Sequence, residues 1–131
     1  MNSSNTSLAH TVEHGLELLP KYNADGLITA VVQEQSSGEI LMLAHMNDQA
    51  LQMTVETGKA TFWSRSRQEL WVKGETSGNR LQVSEVLIDC DQDAVVVKAS
   101  LEGIGACHTG ARSCFYRKIK LDDHELKLKK L

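Results

Sequence analysis

Between residues 27 and 121 the chain is cut into short runs rich in Ile, Val, Leu and aromatic residues, each bounded by Gly or polar breaks. This punctuation limits the fold more than any other feature, because runs of that length suit strands and are too short for helices that bury a face. Residues 27–34 and 39–45 flank Ser36-Ser37-Gly38 and predict a β-hairpin. Residues 60–65, 70–73, 81–89, 94–101 and 114–121 predict further strands. One helix is well specified, over 48–57. Asn47 is its N-cap, Met46 and Leu51 form a hydrophobic staple, and Gly58 sits where a left-handed C-terminal residue belongs. A second, shorter amphipathic helix is predicted from Leu8, Val12, Leu16 and Leu19, closed by Pro20 and weakened by Gly15. The expected class is mainly β (α+β), a strand-rich single domain with one or two short helices.

A chain of 131 residues is most simply one domain, here residues 8–131, and is long enough to need no disulfide. Residues 1–7, MNSSNTS, offer almost no apolar surface and predict a disordered lead-in. The tail DDHELKLKKL is charged and predicts either a frayed end or a terminal helix. A net charge of -3 argues against bulk electrostatic binding of nucleic acid. The polar N-terminus lacks the pattern of a secretion signal, and no run approaches a membrane span, so a cytoplasmic protein with no membrane partner is expected. There the three cysteines are free thiols or metal ligands rather than a disulfide framework.

The stretch DCDQD, residues 89–93, places Asp89, Asp91 and Asp93 on alternate positions with Cys90 between them. In an extended strand the carboxylates project to one side and the thiol to the other. A calcium loop of the EF-hand type fails, because Ala94 and Ser100 stand where Gly and Glu are required. Two readings remain: a Mg²⁺ site, or an acidic edge that discourages strand aggregation. Alternate residues on a flat strand lie almost 7 Å apart, so three carboxylates reach one ion only if the chain curls near Gln92.

Cys107 and Cys114 lie in GACHTGARSCFYR. With Cys90 they supply the three ligands of a catalytic zinc site, although their spacing is not a CxxC signature. His108 is either a fourth ligand, which would close the site, or a proton carrier beside it. The remaining histidines are scattered among polar residues. In WSRSRQELWVKGETSGN, Arg65, Arg67 and Lys73 suit phosphate, and Gly74, Ser77, Gly78 and Asn79 suit an anion-binding loop. Trp63 and Trp71 are either core anchors or stacking surfaces for a base.

The segments MNDQAL, FWSRSRQELWVKGETSGN, DCDQDA and ACHTGARSCFYR, in this order and spacing, make the chain resemble the phosphoribosyl-AMP cyclohydrolases of histidine biosynthesis. The resemblance runs from about residue 18 to the end, in the form without an appended pyrophosphohydrolase domain. Many family members carry Tyr at the position of His45. The resemblance implies hydrolysis of the N1–C6 bond of N1-(5-phosphoribosyl)-AMP to the formimino carboxamide ribotide, the third step of the pathway. It also implies zinc on Cys90, Cys107 and Cys114, magnesium on Asp89, Asp91 and Asp93, and an intertwined homodimer. One zinc per subunit would be shared, with Cys90 from one chain and Cys107 and Cys114 from the other. His108 is the expected proton-transfer residue. Substrate contacts are expected from Trp63, Arg65, Ser66, Arg67, Trp71 and Lys73, and from the loop Gly74, Glu75, Thr76, Ser77, Gly78 and Asn79.

Overall fold

The computed structural model describes the backbone of residues 2–131 and the side chains of residues 8–131. Helix α1 (Asn2–His14) is followed by strands β1 (Ile28–Glu34) and β2 (Ile40–Met46), helix α2 (Asp48–Thr57), and strands β3 (Thr61–Ser64), β4 (Glu69–Val72), β5 (Arg80–Ile88) and β6 (Ala94–Glu102). A last pair, β7 (Arg117–Asp122) and β8 (Glu125–Lys130), ends the chain. Strands predominate, as the punctuation predicts. The main sheet has the order β2-β1-β6-β5, with β1 and β6 parallel and the other neighbours antiparallel. β3 pairs with β4, and β7 with β8, as separate hairpins.

One face of the main sheet carries the core. Alternation along β1 buries Ile28, Ala30, Val32 and Glu34, and β6 adds Val95, Val97 and Ala99. Phe62 from β3, Leu41 and Met46 from β2 and Leu81 from β5 complete it. Truncating a fully buried Phe such as Phe62 to Ala costs about 3–5 kcal/mol, so this cluster dominates stability. The opposite face is thinly covered. There Leu43, Val31, Val96 and Leu87 form one cross-strand row, and its end residues Leu43 and Leu87 are 45% and 44% exposed.

α2 spans the predicted residues. The Asn47 side chain accepts from the Ala50 N–H at 2.8 Å, and Gly58, at φ 72°, donates to the Thr54 carbonyl. Loss of such an N-cap costs about 1 kcal/mol. Met46 and Leu51 are both buried in the core cluster. The Thr54 hydroxyl, also buried, donates to the Ala50 carbonyl and accepts from the Thr61 N–H, which fixes α2 against β3.

Three sequence expectations need correction. α1 begins at Asn2. It ends at His14, well short of Pro20, because Gly15 is a poor helix former and the backbone beyond it bonds elsewhere: Leu19 and Lys21 donate to Gln92. The tail is neither frayed nor helical. Its Leu/Lys alternation is a strand period, and Asp123 and His124, at φ 49° and 62°, make the two-residue turn that joins β7 to β8. The strand predicted over 114–121 accordingly starts later, at Arg117. Ile119 opposes Leu128 and Leu121 opposes Leu126, giving that hairpin one apolar face that the chain itself leaves exposed. Among the described residues no helix is long and apolar enough to cross a membrane.

Candidate metal and substrate site

The DCDQD stretch is a turn between β5 and β6, not an extended strand. Gln92 adopts φ 59°, and this left-handed residue curls the chain. The Asp89 carboxylate then accepts from the N–H groups of Asp93 (2.9 Å) and Ala94 (3.1 Å). As a result, ligand oxygens of Asp89, Asp91 and Asp93 lie within 4.8 Å of one another. Hydrogen bonds from Asp93 to Asp91 and then to Asp89, with burial and the two neighbouring charges adding, push the Asp93 carboxyl up to about 6. Burial also pushes Asp89 up, but the N–H groups of Asp93 and Ala94 and the protons on its neighbours outweigh it, and Asp89 stays below the usual carboxylate range. Three carboxylates crowded this closely repel one another, and they are a fitting donor set for a hard dication, which would offset that repulsion.

Cys107 is buried and Cys114 lies at the surface, on a loop with Gly103, Gly105 and Gly110 around it. Gly105 packs against the backbone of the same loop, where an added Cβ would lie 2.2 Å from the Ala111 carbonyl oxygen, so its lack of a side chain lets the loop close. Ala106 and Cys107 donate to the carbonyls of Arg112 and Ala111, and Cys114 donates to Leu41 of β2. The Thr109 hydroxyl donates to Cys107 Sγ at 3.0 Å. That hydroxyl, followed by the Thr109 backbone, a hydrogen bond from Cys114 and the charge of Lys73, holds the Cys107 thiol below its usual range despite its burial. Loss of hydration and the hydrogen bond to Cys107 push Cys114 up to about 11, with Lys73 opposing. A hydrogen bond joins the two sulfurs, so both lie close enough to serve one thiophilic dication such as zinc.

Among the described residues the aspartate trio is the only group of three or more metal-ligating side chains drawn together. Neither Cys90, which is exposed beside the aspartates, nor His108, also exposed, joins Cys107 and Cys114 within one chain. Two thiols of the expected zinc site are therefore assembled and the third is not.

The expected substrate residues divide between two clefts. Trp63 and Arg65 line one of about 350 Å³ with Asp25, Asn47 and Gln68. Arg67, Trp71, Lys73 and the loop 74–77 line another of about 520 Å³. The β3–β4 register explains the split. Trp63 opposes Leu70 while Phe62 opposes Trp71, so the two tryptophans face opposite sides of the hairpin. Trp71 packs on Phe62 with ring centroids 5.1 Å apart. Arg67 pairs with Glu69 at 3.5 Å across an exposed surface. Ser66 shares the β3–β4 turn with Ser64, at 3.4 Å between hydroxyls. The Gly74 loop turns as expected, with Gly74 and Gly78 at φ 82° and 81° and Gly78 donating to Gly74. Asn79 is occupied in holding it. Its side-chain oxygen accepts from the Ile104 N–H at 3.1 Å.

The family model for phosphoribosyl-AMP cyclohydrolase matches residues 42–116, a span that contains both candidate metal sites and all the expected substrate residues. Proteins of that name are similar over most of the chain. One from Brucella anthropi is 52% identical over 89% of this chain and 84% of its own length. One from Chelativorans sp. is 56% identical over 86% and 81%, and one from Brucella canis 56% over 82% and 78%. The chain belongs to the phosphoribosyl-AMP cyclohydrolase family. It is therefore a hydrolase of that family.

Within this cyclohydrolase, sequence reasoning missed the partners of three residues that hold the candidate site together. Thr109, two residues beyond Cys107, supplies the hydroxyl to its sulfur. Arg112, between the cysteines, forms ion pairs with Glu34 and Glu39. Gln92, the one uncharged polar residue of DCDQD, is 5% exposed and bonded to the N-terminal segment. His45 has its pKa lowered by burial and by the charge of Arg65, a proximity that sequence distance conceals. Proximity of Thr109 and Arg112 to the cysteines was the only sequence signal available.

Proposed function

We propose that this chain hydrolyses the N1–C6 bond of N1-(5-phosphoribosyl)-AMP, using zinc on Cys90, Cys107 and Cys114 and magnesium on Asp89, Asp91 and Asp93, as a cytoplasmic homodimer. The observation that supports the zinc reading is the hydrogen-bonded pair of Cys107 and Cys114 sulfurs beside Lys73. Since Cys90 does not reach that pair within one chain, the third thiolate is supplied by a second copy. Two apolar surfaces support that assembly: the row through Leu43, Val31, Val96 and Leu87, and the β7–β8 face of Ile119, Leu121, Leu126 and Leu128. A two-stranded hairpin exposed on both sides is marginal alone in water and gains stability when its apolar face is covered.

Bound zinc would acidify water from a pKa of 15.7 toward about 7 and so provide a nucleophile at neutral pH. Bound magnesium would neutralise an anionic edge of the substrate beside the aspartate turn. The chain's own groups do the rest. Thr109 orients Cys107 by donating to its sulfur. His108, exposed next to Cys107, carries a proton from the nucleophile to nitrogen as the C6–N1 bond breaks. The substrate carries a phosphate at each end, and the two clefts offer separate cations: Arg65 beside Trp63 in one, Arg67 and Lys73 beside the Gly74 loop in the other.

The test follows ring opening of phosphoribosyl-AMP by absorbance with the purified protein, after chelation, and after zinc is restored. Turnover that disappears with chelation, returns with zinc and releases no ammonia supports the reading. A zinc-loaded dimer with no turnover overturns it, and release of ammonia would mark a deaminase instead.

A further inference from the structure

The turn that gathers the three aspartates rests on a residue with no intrinsic reason to adopt its conformation. Asn, Asp and Gly visit left-handed φ readily, whereas Gln92 does so at φ 59°. Its own N–H donates to the Asp89 carbonyl at 3.1 Å, so the bend at this residue sets where Asp91 and Asp93 fall relative to Asp89. What holds the bend is on the other side of Gln92. Its side-chain oxygen accepts from Leu19 N–H at 2.7 Å, and its amide donates to the carbonyls of Val12 (3.0 Å) and Glu17 (3.3 Å). Its backbone carbonyl accepts from Lys21 N–H at 2.6 Å. The side chain is buried and all three of its hydrogen bonds go to one segment, at Val12, Glu17 and Leu19, 73–80 positions away in sequence.

That segment is otherwise lightly held. Leu16 and Leu18 are exposed, and the chain between His14 and Lys21 belongs to no helix or strand. Asp91 lines the same cleft as Val12, Leu18, Leu19 and Lys21, so the segment and the carboxylate turn share a surface. A segment with few buried apolar contacts opens at low cost, and its opening would release the Gln92 side chain and with it the bend.

We propose that Gln92 is a positioning residue that couples the N-terminal segment to the aspartate turn, so that closing the segment tightens the trio around a divalent cation and a bound cation closes the segment. This rests on the cation reading of the trio given above. Coupling of this kind is reciprocal: the factor by which the closed segment raises cation affinity equals the factor by which the cation favours closure.

The test uses full-length protein and two readouts independent of turnover. Mn²⁺ affinity is measured by the loss of its free-ion electron paramagnetic resonance signal, and hydrogen exchange is followed in the peptide containing the Leu19 and Lys21 amides. In the wild type, Mn²⁺ slows exchange of that peptide about fivefold or more. In Gln92→Gly the backbone is free to keep the left-handed bend but the side-chain bonds are gone; Mn²⁺ affinity falls by a matching factor and exchange no longer responds to the metal. Zinc content and far-ultraviolet circular dichroism stay at wild-type values, separating this effect from unfolding. Unchanged Mn²⁺ affinity in Gln92→Gly, or wild-type exchange indifferent to bound Mn²⁺, overturns the coupling while leaving the cation site standing. Wild-type protein whose Mn²⁺ binding is absent, or is unaffected by Asp91→Asn, overturns both.

Discussion

Arg112, two residues before Cys114, joins the buried carboxylate of Glu34 at the end of β1, while its Nε donates to Glu39 Oε1 at 2.8 Å. One guanidinium thereby ties the loop that bears both paired thiols to the β1–β2 hairpin. Ser113 adds a bond to the Ile40 carbonyl and Cys114 one to the Leu41 carbonyl. Arg112→Ala should therefore loosen the thiol pair without touching a ligand. Zinc affinity, measured by competition with a chromophoric chelator, is expected to fall about 10–100-fold, the usual cost of removing a group that orients a metal ligand. Arg112→Lys, which keeps the charge but loses the planar fork, should recover part of that loss.

The same pair sets a pH dependence. Ser37, then Arg112, hold Glu34 below its ordinary value against the effect of burial. A carboxyl depressed on folding stabilises above its unfolded pKa, and that stability is lost as pH falls through the folded one. Thermal melts of wild type and Arg112→Ala should thus differ most above about pH 5 and converge in more acid buffer.

The aspartate trio carries the opposite sign. Asp93, raised to about 6, contributes stability below the ordinary carboxylate pKa that disappears as pH rises through about 6. Metal-free protein should accordingly lose melting temperature between about pH 4 and 6, and millimolar Mg²⁺ should restore it chiefly at and above the upper end, where the proton has gone. A melting temperature that Mg²⁺ does not change at either end would count against a cation on these residues.

His45 gives a third dependence. Burial, followed by the charge of Arg65, lowers its pKa, so folded protein resists a proton that the unfolded chain accepts. The stability it contributes is full above its unfolded value and declines as pH drops through the folded one. His45→Tyr, which removes the titrating imidazole, should make the fall in melting temperature from about pH 7.5 to 5.5 smaller.

How far the sequence could be read depended on the range of the interactions. α2 was fully legible because Asn47, Ala50, Thr54 and Gly58 fix both ends within a few residues. The curl at Gln92 followed from the strand spacing, since no flat strand brings Asp89, Asp91 and Asp93 within reach of one ion. The end of α1 was not legible, because the residue that captures the chain beyond it lies more than 70 positions away. The parallel pairing of β1 with β6 and the Arg112 clamp were hidden for the same reason. The tail misled because its lysines suggest a solvated face while its leucines keep a strand period that only the Asp123-His124 turn makes useful. Recognising four motifs supplied an expectation that local physics could not: that Cys90 would come from one chain and Cys107 with Cys114 from another.

The β7–β8 hairpin has an apolar face and a basic one. Ile119, Leu121, Leu126 and Leu128 share the first, and Lys118, Lys120, Lys127 and Lys129 the second. If the apolar face covers a second copy, Leu121→Lys combined with Leu128→Lys should weaken the dimer at least about 100-fold in sedimentation velocity, the effect of losing central contact residues. Lys120→Ala, on the other face, should leave it intact.

Mixing inactive variants tests the shared site directly. In a dimer of Cys90→Ser with Cys107→Ser, one site combines both lesions. The other takes Cys90 from the second chain and Cys107 with Cys114 from the first, and is whole. Random reassociation makes half the dimers mixed, each with one whole site, so about a quarter of wild-type turnover should return on mixing. Zinc should return in the same proportion, read by atomic absorption. Sites built within single chains would stay dead at every mixing ratio, because each chain lacks one of its own thiols. The absence of Cys90 from the Cys107 and Cys114 pair within one chain makes recovery the expected result.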